Sequence, residues 1–208
     1  LELCRYSSGI VTAMGVTQLA AGAIMSQGTV AQKKRWGLDL LTAEKVGSWA
    51  ITEPGSGSDA FGGMQSTARL DADGNYVLNG SKTFITNGPF ADTIVFICKL
   101  AEEGVEPRQR KIMTFVLDSG MEGLEQSGRL RKMGLHSSPT GQLFLDNVVA
   151  RPERVLGGVD RKKGSKKKSD PRATFAAERV GVVSMSLGVI ERCLELCIDY
   201  AKERVQWE

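Results

Sequence analysis

Hydrophobic positions change their period along the chain, and the changes mark its elements. Up to about residue 45 they fall at helical spacing: Ile10, Val11, Met14, Leu19, Ile24 and Met25, set among Gly and Ala that let helices approach closely. Gly28 interrupts this pattern. Thr29-Val30-Ala31-Gln32 then matches a capping box, in which the Thr29 hydroxyl accepts from the N–H of Gln32 while the Gln32 side chain reaches back. A short helix through Trp36 is predicted to close at Gly37.

From about 46 to 158 the period shortens to two. A run from Asn75 to Ile85 follows Asp73-Gly74, a hairpin signal. Thr93 to Ile97, Ile112 to Leu117 and Gln142 to Leu145 are further β-branched or alternating runs, with Gly123, Gly128, Gly134 and Gly141 in the later loops. Antiparallel strands at this spacing predict a compact barrel or sandwich. A like-charged stretch, Arg161-Lys162-Lys163 through Lys166-Lys167-Lys168, reads as a solvated loop or linker. Helix returns at about 172: Val180, Val183, Leu187, Ile190, Leu194, Cys197, Ala201 and Val205 recur in steps of three and four, a broad face of the kind buried in a bundle.

The expected organisation is therefore an α+β chain of several domains. Residues 1–45 end a helical part, 46–158 form an antiparallel β-barrel or sandwich, 159–171 form a basic loop, and 172–208 begin a C-terminal helical bundle. Both ends read as cut: Leu1 is no start residue, and Trp207-Glu208 falls within a helical pattern with no Gly or Pro to close it. The chain is expected to be a piece of a longer polypeptide.

Composition narrows the function classes. The 208 residues are 41% hydrophobic and 25% charged, with a net charge of +3 concentrated in the Lys-rich run. No apolar run approaches membrane-spanning length, so insertion is not expected. Basic residues confined to one run without interleaved aromatics argue against nucleic acid as a partner. One histidine, His136, and four cysteines without CxxC spacing leave little for a zinc site or a Cys–His nucleophile. Reduced thiols in a cytoplasmic setting are expected.

Two segments carry the chemistry. Trp49-Ala50-Ile51-Thr52-Glu53-Pro54-Gly55-Ser56-Gly57-Ser58-Asp59 ends a short β-type run and turns into a loop rich in backbone N–H groups and hydroxyls, which suits a phosphate or pyrophosphate. Phe84-Ile85-Thr86-Asn87-Gly88 follows about thirty residues on. Each segment pairs an aromatic with a nearby Thr, the equipment for a flat ring with a polar edge, and a flavin is such a ring. Plain core packing of Trp49 and Phe84 is the competing reading.

On these blocks the chain resembles the acyl-CoA dehydrogenases. Thr52 to Asp59 matches that family's T-E-P-G-x-G-S-D stretch, and Asn79-Gly80-Ser81-Lys82 with Phe84 to Gly88 matches its N-G-x-K-x-[WF]-I-T-N-G block. Lys132-Met133-Gly134, Phe144 to Val148 and Glu178-Arg179 match more weakly, in the right order. The resemblance implies FAD, with Trp49, Ile51, Thr52, Gly57 and Ser58 lining the flavin and its pyrophosphate. Phe84, Ile85 and Thr86 would cover the ring, with Thr86 beside its reactive nitrogen. Ser58 and Arg179 would contact the acyl-CoA substrate, and Arg204 would reach the FAD of a neighbouring subunit, which implies a homo-oligomer, dimer or tetramer. The implied reaction is α,β-dehydrogenation, with electrons passing to an electron-transfer flavoprotein. Glu178 stands where a minority of the family place the base, 26 residues before Arg204, and a Glu beyond residue 208 is the other candidate. Glu178 also reads simply as a charge favoured at a helix N-terminus. A non-catalytic FAD-binding partner subunit is the alternative function. His136 stands where the family more often has Arg.

Overall fold

The computed structural model describes residues 1–159 and 171–207, with side chains in the second stretch from residue 179 onward. The basic run Arg161–Lys168 lies outside the described residues.

Helix α1 (Ser8–Gln27) starts where the Ser7 hydroxyl accepts from Ile10 N–H and carries no charged residue along its length. It is long and apolar enough to cross a membrane by length and composition, contrary to the expectation that no run approaches that length. Its composition fits a helix with protein on one flank: Ala20, Ala21, Ala23 and Ile24 are fully buried against Trp36, Leu40 and Trp49.

The capping box forms at α2 (Val30–Gln32): Gln32 N–H reaches Thr29 Oγ1 at 3.2 Å, and Thr29 N–H reaches Gln32 Oε1 at 3.0 Å. Gln32 is buried and fully occupied, its amide also donating to the carbonyls of Glu153 and Val155. Gly37 does not end the helix. A wider π-type turn spans Lys33–Gly37 and runs into α3 (Leu38–Leu41). A Cβ on Gly37 would sit 2.6 Å from Met25 Sδ, so this glycine serves close helix packing instead of a cap. The wide turn puts the Trp36 indole in the core, with Nε1–H donating to Asp118 at 2.7 Å and the guanidinium groups of Arg35 and Arg154 over its ring.

Among the described residues seven strands form one sheet: β1 (Gly47–Ala50), β2 (Thr67–Leu70), β3 (Tyr76–Thr86), β4 (Thr93–Leu100), β5 (Ile112–Asp118), β6 (Leu124–Gln126) and β7 (Thr140–Ala150). The hairpin at Asp73-Gly74 joins β2 to β3 as expected. Two pairings depart from an antiparallel arrangement, since both β1 and β2 run parallel to β4. Gly141 lies within β7 and pairs with Ile85, so it does not mark a loop. Gly80, at φ +142°, sits at a register shift between β3 and β7, where a Cβ would collide with Ser66.

Alternate residues of β4 serve different cores. Ile94, Phe96 and Cys98 join Leu78, Ile85, Leu143 and Leu145 on the side around which the sheet wraps, while Val95 and Ile97 meet the helices. Burial pushes the Cys98 thiol up to about 12, an inert structural cysteine.

Helix α4 (Pro171–Glu203) crosses the N-terminal segment. Gly188 sits against Leu1, and Arg5 pairs with Glu195 and, at 3.6 Å, with Glu191. Glu191 and Glu195 thus meet the body, and much of the expected core stripe is turned outward, with Val180 and Val183 more than 60% exposed. No other described helix stands on that side to cover it. The helix also stops at Glu203, so Val205 and Trp207 lie beyond it. A terminal turn without packing partners has little to hold it.

Candidate functional site

The way β4 shares its edges creates the site. β1 and β2 lie end to end along one edge of β4, with Ala50 opposite Phe96 and Thr67 opposite Lys99. The chain between them leaves the sheet and returns to almost the same place. Its first turn is tight: Glu53 and Ser56 exchange backbone hydrogen bonds of 3.1 and 3.0 Å around Pro54-Gly55. The Ser56 hydroxyl then donates to Asp59 O at 2.6 Å, and Lys99 Nζ holds the far end by donating to Gly62 O at 2.9 Å.

β3 continues past β2 alongside this loop, and Thr83 N–H donates to Thr52 O at 2.9 Å. Beneath that contact, Lys82 Nζ donates to Ile51 O at 3.0 Å and lies 2.8 Å from Glu53 Oε1. The two side chains are 0% and 5% exposed. Glu53 also accepts from the N–H groups of Gln65 and Ser66, where the loop ends. Burial works against the Glu53 carboxylate, yet the Lys82 ammonium and these N–H donors hold its pKa below the ordinary value. Burial also pulls the Lys82 ammonium down, against the attraction of Glu53. One buried ion pair thus ties both ends of the first block to the second.

β3 ends irregularly. Its pairing with β7 shifts between Lys82 and Ile85, and Phe84 adopts φ +55° within that break. A left-handed phenylalanine is strained, and the result here is a ring 69% exposed beside a buried Ile85. Asn87, also left-handed at +64°, anchors the following turn. Its amide donates to Ala13 O, Thr17 Oγ1 and Gly47 O at 2.8, 3.2 and 3.0 Å.

Around this platform the donors are unclaimed. The hydroxyls of Thr52, Ser58 and Thr86 make no hydrogen bond among the described residues, and Trp49 Nε1 is buried without a partner. Gly57 and Ser58 are exposed. An exposed aromatic, free hydroxyls and an orphaned indole N–H fit a flat, polar-edged ring carrying phosphates. The side chains of Ile51 and Ile85 lie in the two cores, so these residues can offer only their main chain.

The remaining candidates lie on or just beyond α4. Arg179 is exposed on α4, and the Glu178 side chain lies outside the described residues. Arg204 follows the helix end and stacks on the Tyr200 ring at 5.6 Å, with a hydrogen bond to its hydroxyl. What α4 does form is a groove of about 610 Å³ against α1, walled by Val16, Leu19, Met185 and Val189. His136 lies on an exposed loop and meets Lys132 O at 2.8 Å.

Sequence reasoning passed over Glu53, Lys82 and Asn87 as working parts. A signal for Lys82 was present: the period of two puts it on the side of Leu78, where a lysine needs a buried acceptor.

Comparison with known proteins gives a consistent result. Residues 48–148 match the family described as acyl-CoA dehydrogenase, middle domain, and residues 170–208 match acyl-CoA dehydrogenase, C-terminal domain. A short-chain-specific acyl-CoA dehydrogenase of Megasphaera elsdenii is 36% identical over 208 residues, covering 99% of this chain and 52% of that protein. The solved butyryl-CoA dehydrogenase of the same organism superposes with a TM-score of 0.86 at 33% identity, over 99% of this chain and 52% of that one. A Bacillus anthracis acyl-CoA dehydrogenase solved with FAD gives 0.75 at 33% identity, over 88% and 29%. The chain spans about half the length of the curated relatives it matches.

Proposed function

The chain belongs to the acyl-CoA dehydrogenase family, and on that footing we propose that its two donor blocks hold FAD for the α,β-dehydrogenation of an acyl-CoA thioester. The observation that carries this reading is the meeting of the Thr52–Ser58 loop and the Phe84–Asn87 turn on one platform, joined by the Lys82–Glu53 pair, with their hydroxyls unclaimed.

In this reading Thr52, Thr86 and the main chain at Ile51 and Ile85 hold the ring edge. Trp49 and Phe84 bound the ring, and Gly57 and Ser58 donate to the pyrophosphate. The chemistry FAD supplies when bound is acceptance of the hydride from the β-carbon. The chain's own part is to hold the thioester, keep water from it and remove the α-proton. The α1–α4 groove takes the acyl chain, Ser58 and Arg179 hold the CoA portion, and Glu178, assigned by its place in the motif, is the base. Arg204 and the outward stripe of α4 face further helices and a second subunit of a homo-oligomer. Electrons pass on to an electron-transfer flavoprotein, and the enzyme works in the cytoplasm.

The test uses the complete polypeptide that carries this chain. It should purify yellow and bleach when an acyl-CoA is added without oxygen. Glu178→Gln should keep the flavin absorbance and lose about 10²–10⁴-fold in kcat. A colourless protein that cannot be reconstituted with FAD overturns the proposal, and unchanged turnover in the variant removes Glu178 as base.

A further inference from the structure

Glycine within a helix costs stability relative to alanine, so its presence asks what needs the space. For several glycines beside α1 and α4 the answer is the protein's own packing. A Cβ on Gly188 would lie 2.3 Å from the Leu1 carbonyl oxygen, and one on Gly9 would lie 2.4 Å from Ser137 Oγ. Gly15 and Gly181 differ. Both line the α1–α4 groove, one on each helix, and a Cβ on either meets no described heavy atom within 4 Å. None of the groove's described lining residues carries a charge.

We infer that Gly15 and Gly181 set the width of this groove, so that it takes an acyl group broadened by a branch or a ring and refuses one that ends in a carboxylate. The inference rests on the groove being the acyl site. A branch or ring needs lateral room that a linear chain leaves unused, and the two missing side chains supply it on opposite walls. Further along, α4 is tied to the segment that leads into α1, where Gly188 meets Leu1 and Arg5 pairs with Glu191 and Glu195. A terminal carboxylate would be stripped of water between apolar walls, with no cation among the groove's described lining residues to meet it. The hydroxyls of Ser8, Thr12 and Ser186 can donate to it without neutralising it.

The experiment compares wild type, Gly15→Ala, Gly181→Ala and Gly181→Val in the complete FAD-loaded polypeptide, with butyryl-, isovaleryl-, 3-phenylpropionyl- and glutaryl-CoA. Wild type should show kcat/KM for glutaryl-CoA at least about 100-fold below that for isovaleryl-CoA. In Gly181→Val the ratio of the branched and aryl substrates to butyryl-CoA should fall about tenfold or more, and the alanine variants should shift it the same way by less. Both alanine variants should melt at a higher temperature than wild type, a readout independent of turnover. Equal use of glutaryl- and isovaleryl-CoA, unchanged ratios in folded variants, or lower melting temperatures for both alanine variants overturn the inference and leave the proposed function standing. A wild type that oxidises none of the four thioesters also overturns the inference, whereas the proposed function falls only if the protein cannot be reconstituted with FAD.

Discussion

A lysine ammonium with no exposed surface persists only where acceptors surround it, and Lys82 has two: Ile51 O at 3.0 Å and Glu53 Oε1 at 2.8 Å. It also lies 5.2 Å from the ring centroid of Phe96, the residue of β4 opposite Ala50 at the end of β1. Removing one member of a buried pair strands the other, so Lys82→Met should cost about 3–5 kcal/mol in denaturant unfolding. The pH profile separates this from simple loss of packing. Glu53 has its folded pKa held below the ordinary 4.5, so its contribution is present above that value and is lost as the pH falls through the folded pKa. Without Lys82, burial dominates and raises the folded pKa above 4.5. The variant should then lose stability as the pH rises from about 4.5, the opposite slope to wild type. A variant with the wild-type slope would show that Lys82 does not hold the Glu53 charge.

At the scale of elements, the turn after β3 decides how the Phe84–Gly88 block meets the helices. Asn87 joins it to α1 through Ala13 and Thr17, to β1 through Gly47, and to the chain before β7 through its own N–H and Pro139 O at 2.7 Å. Asn tolerates the left-handed backbone that this geometry imposes, whereas Ala does not. Asn87→Ala should destabilise by about 2–4 kcal/mol, from the lost buried hydrogen bonds together with strain. Asn87→Gly removes the same bonds without the strain and should recover about 1 kcal/mol of that loss. Equal losses in thermal unfolding would show that backbone strain plays no part. The existence of these elements was legible from periodicity, and so was the capping box at Thr29–Gln32. The continuation through Gly37 was not, because a glycine at a helix C-terminus and a glycine under a methionine sulfur look alike without the neighbouring helix.

Over the whole molecule, exposure divides the thiols into two classes that labelling can read. Cys4 and Cys98 are buried, and Cys98 is further silenced by a pKa near 12, while Cys193 and Cys197 lie exposed on α4. In the 208-residue chain, a maleimide should modify two thiols quickly and the other two only on unfolding. Slow labelling of Cys193 and Cys197 would mean that self-association covers the outward face of α4. That face also shows where sequence and tertiary structure divide. Motif spacing and local periodicity were enough to pick out the Thr52–Asp59 and Phe84–Gly88 blocks, their strands and the helical ends, because turns, caps and alternation depend on residues within a few positions of one another. Which flank of α4 meets the body, why β1 and β2 share one edge of β4, and which charge answers Lys82 were settled only in three dimensions. Each depends on groups tens to nearly two hundred residues apart meeting where water is excluded, and their cost or benefit has no counterpart in any local stretch of chain.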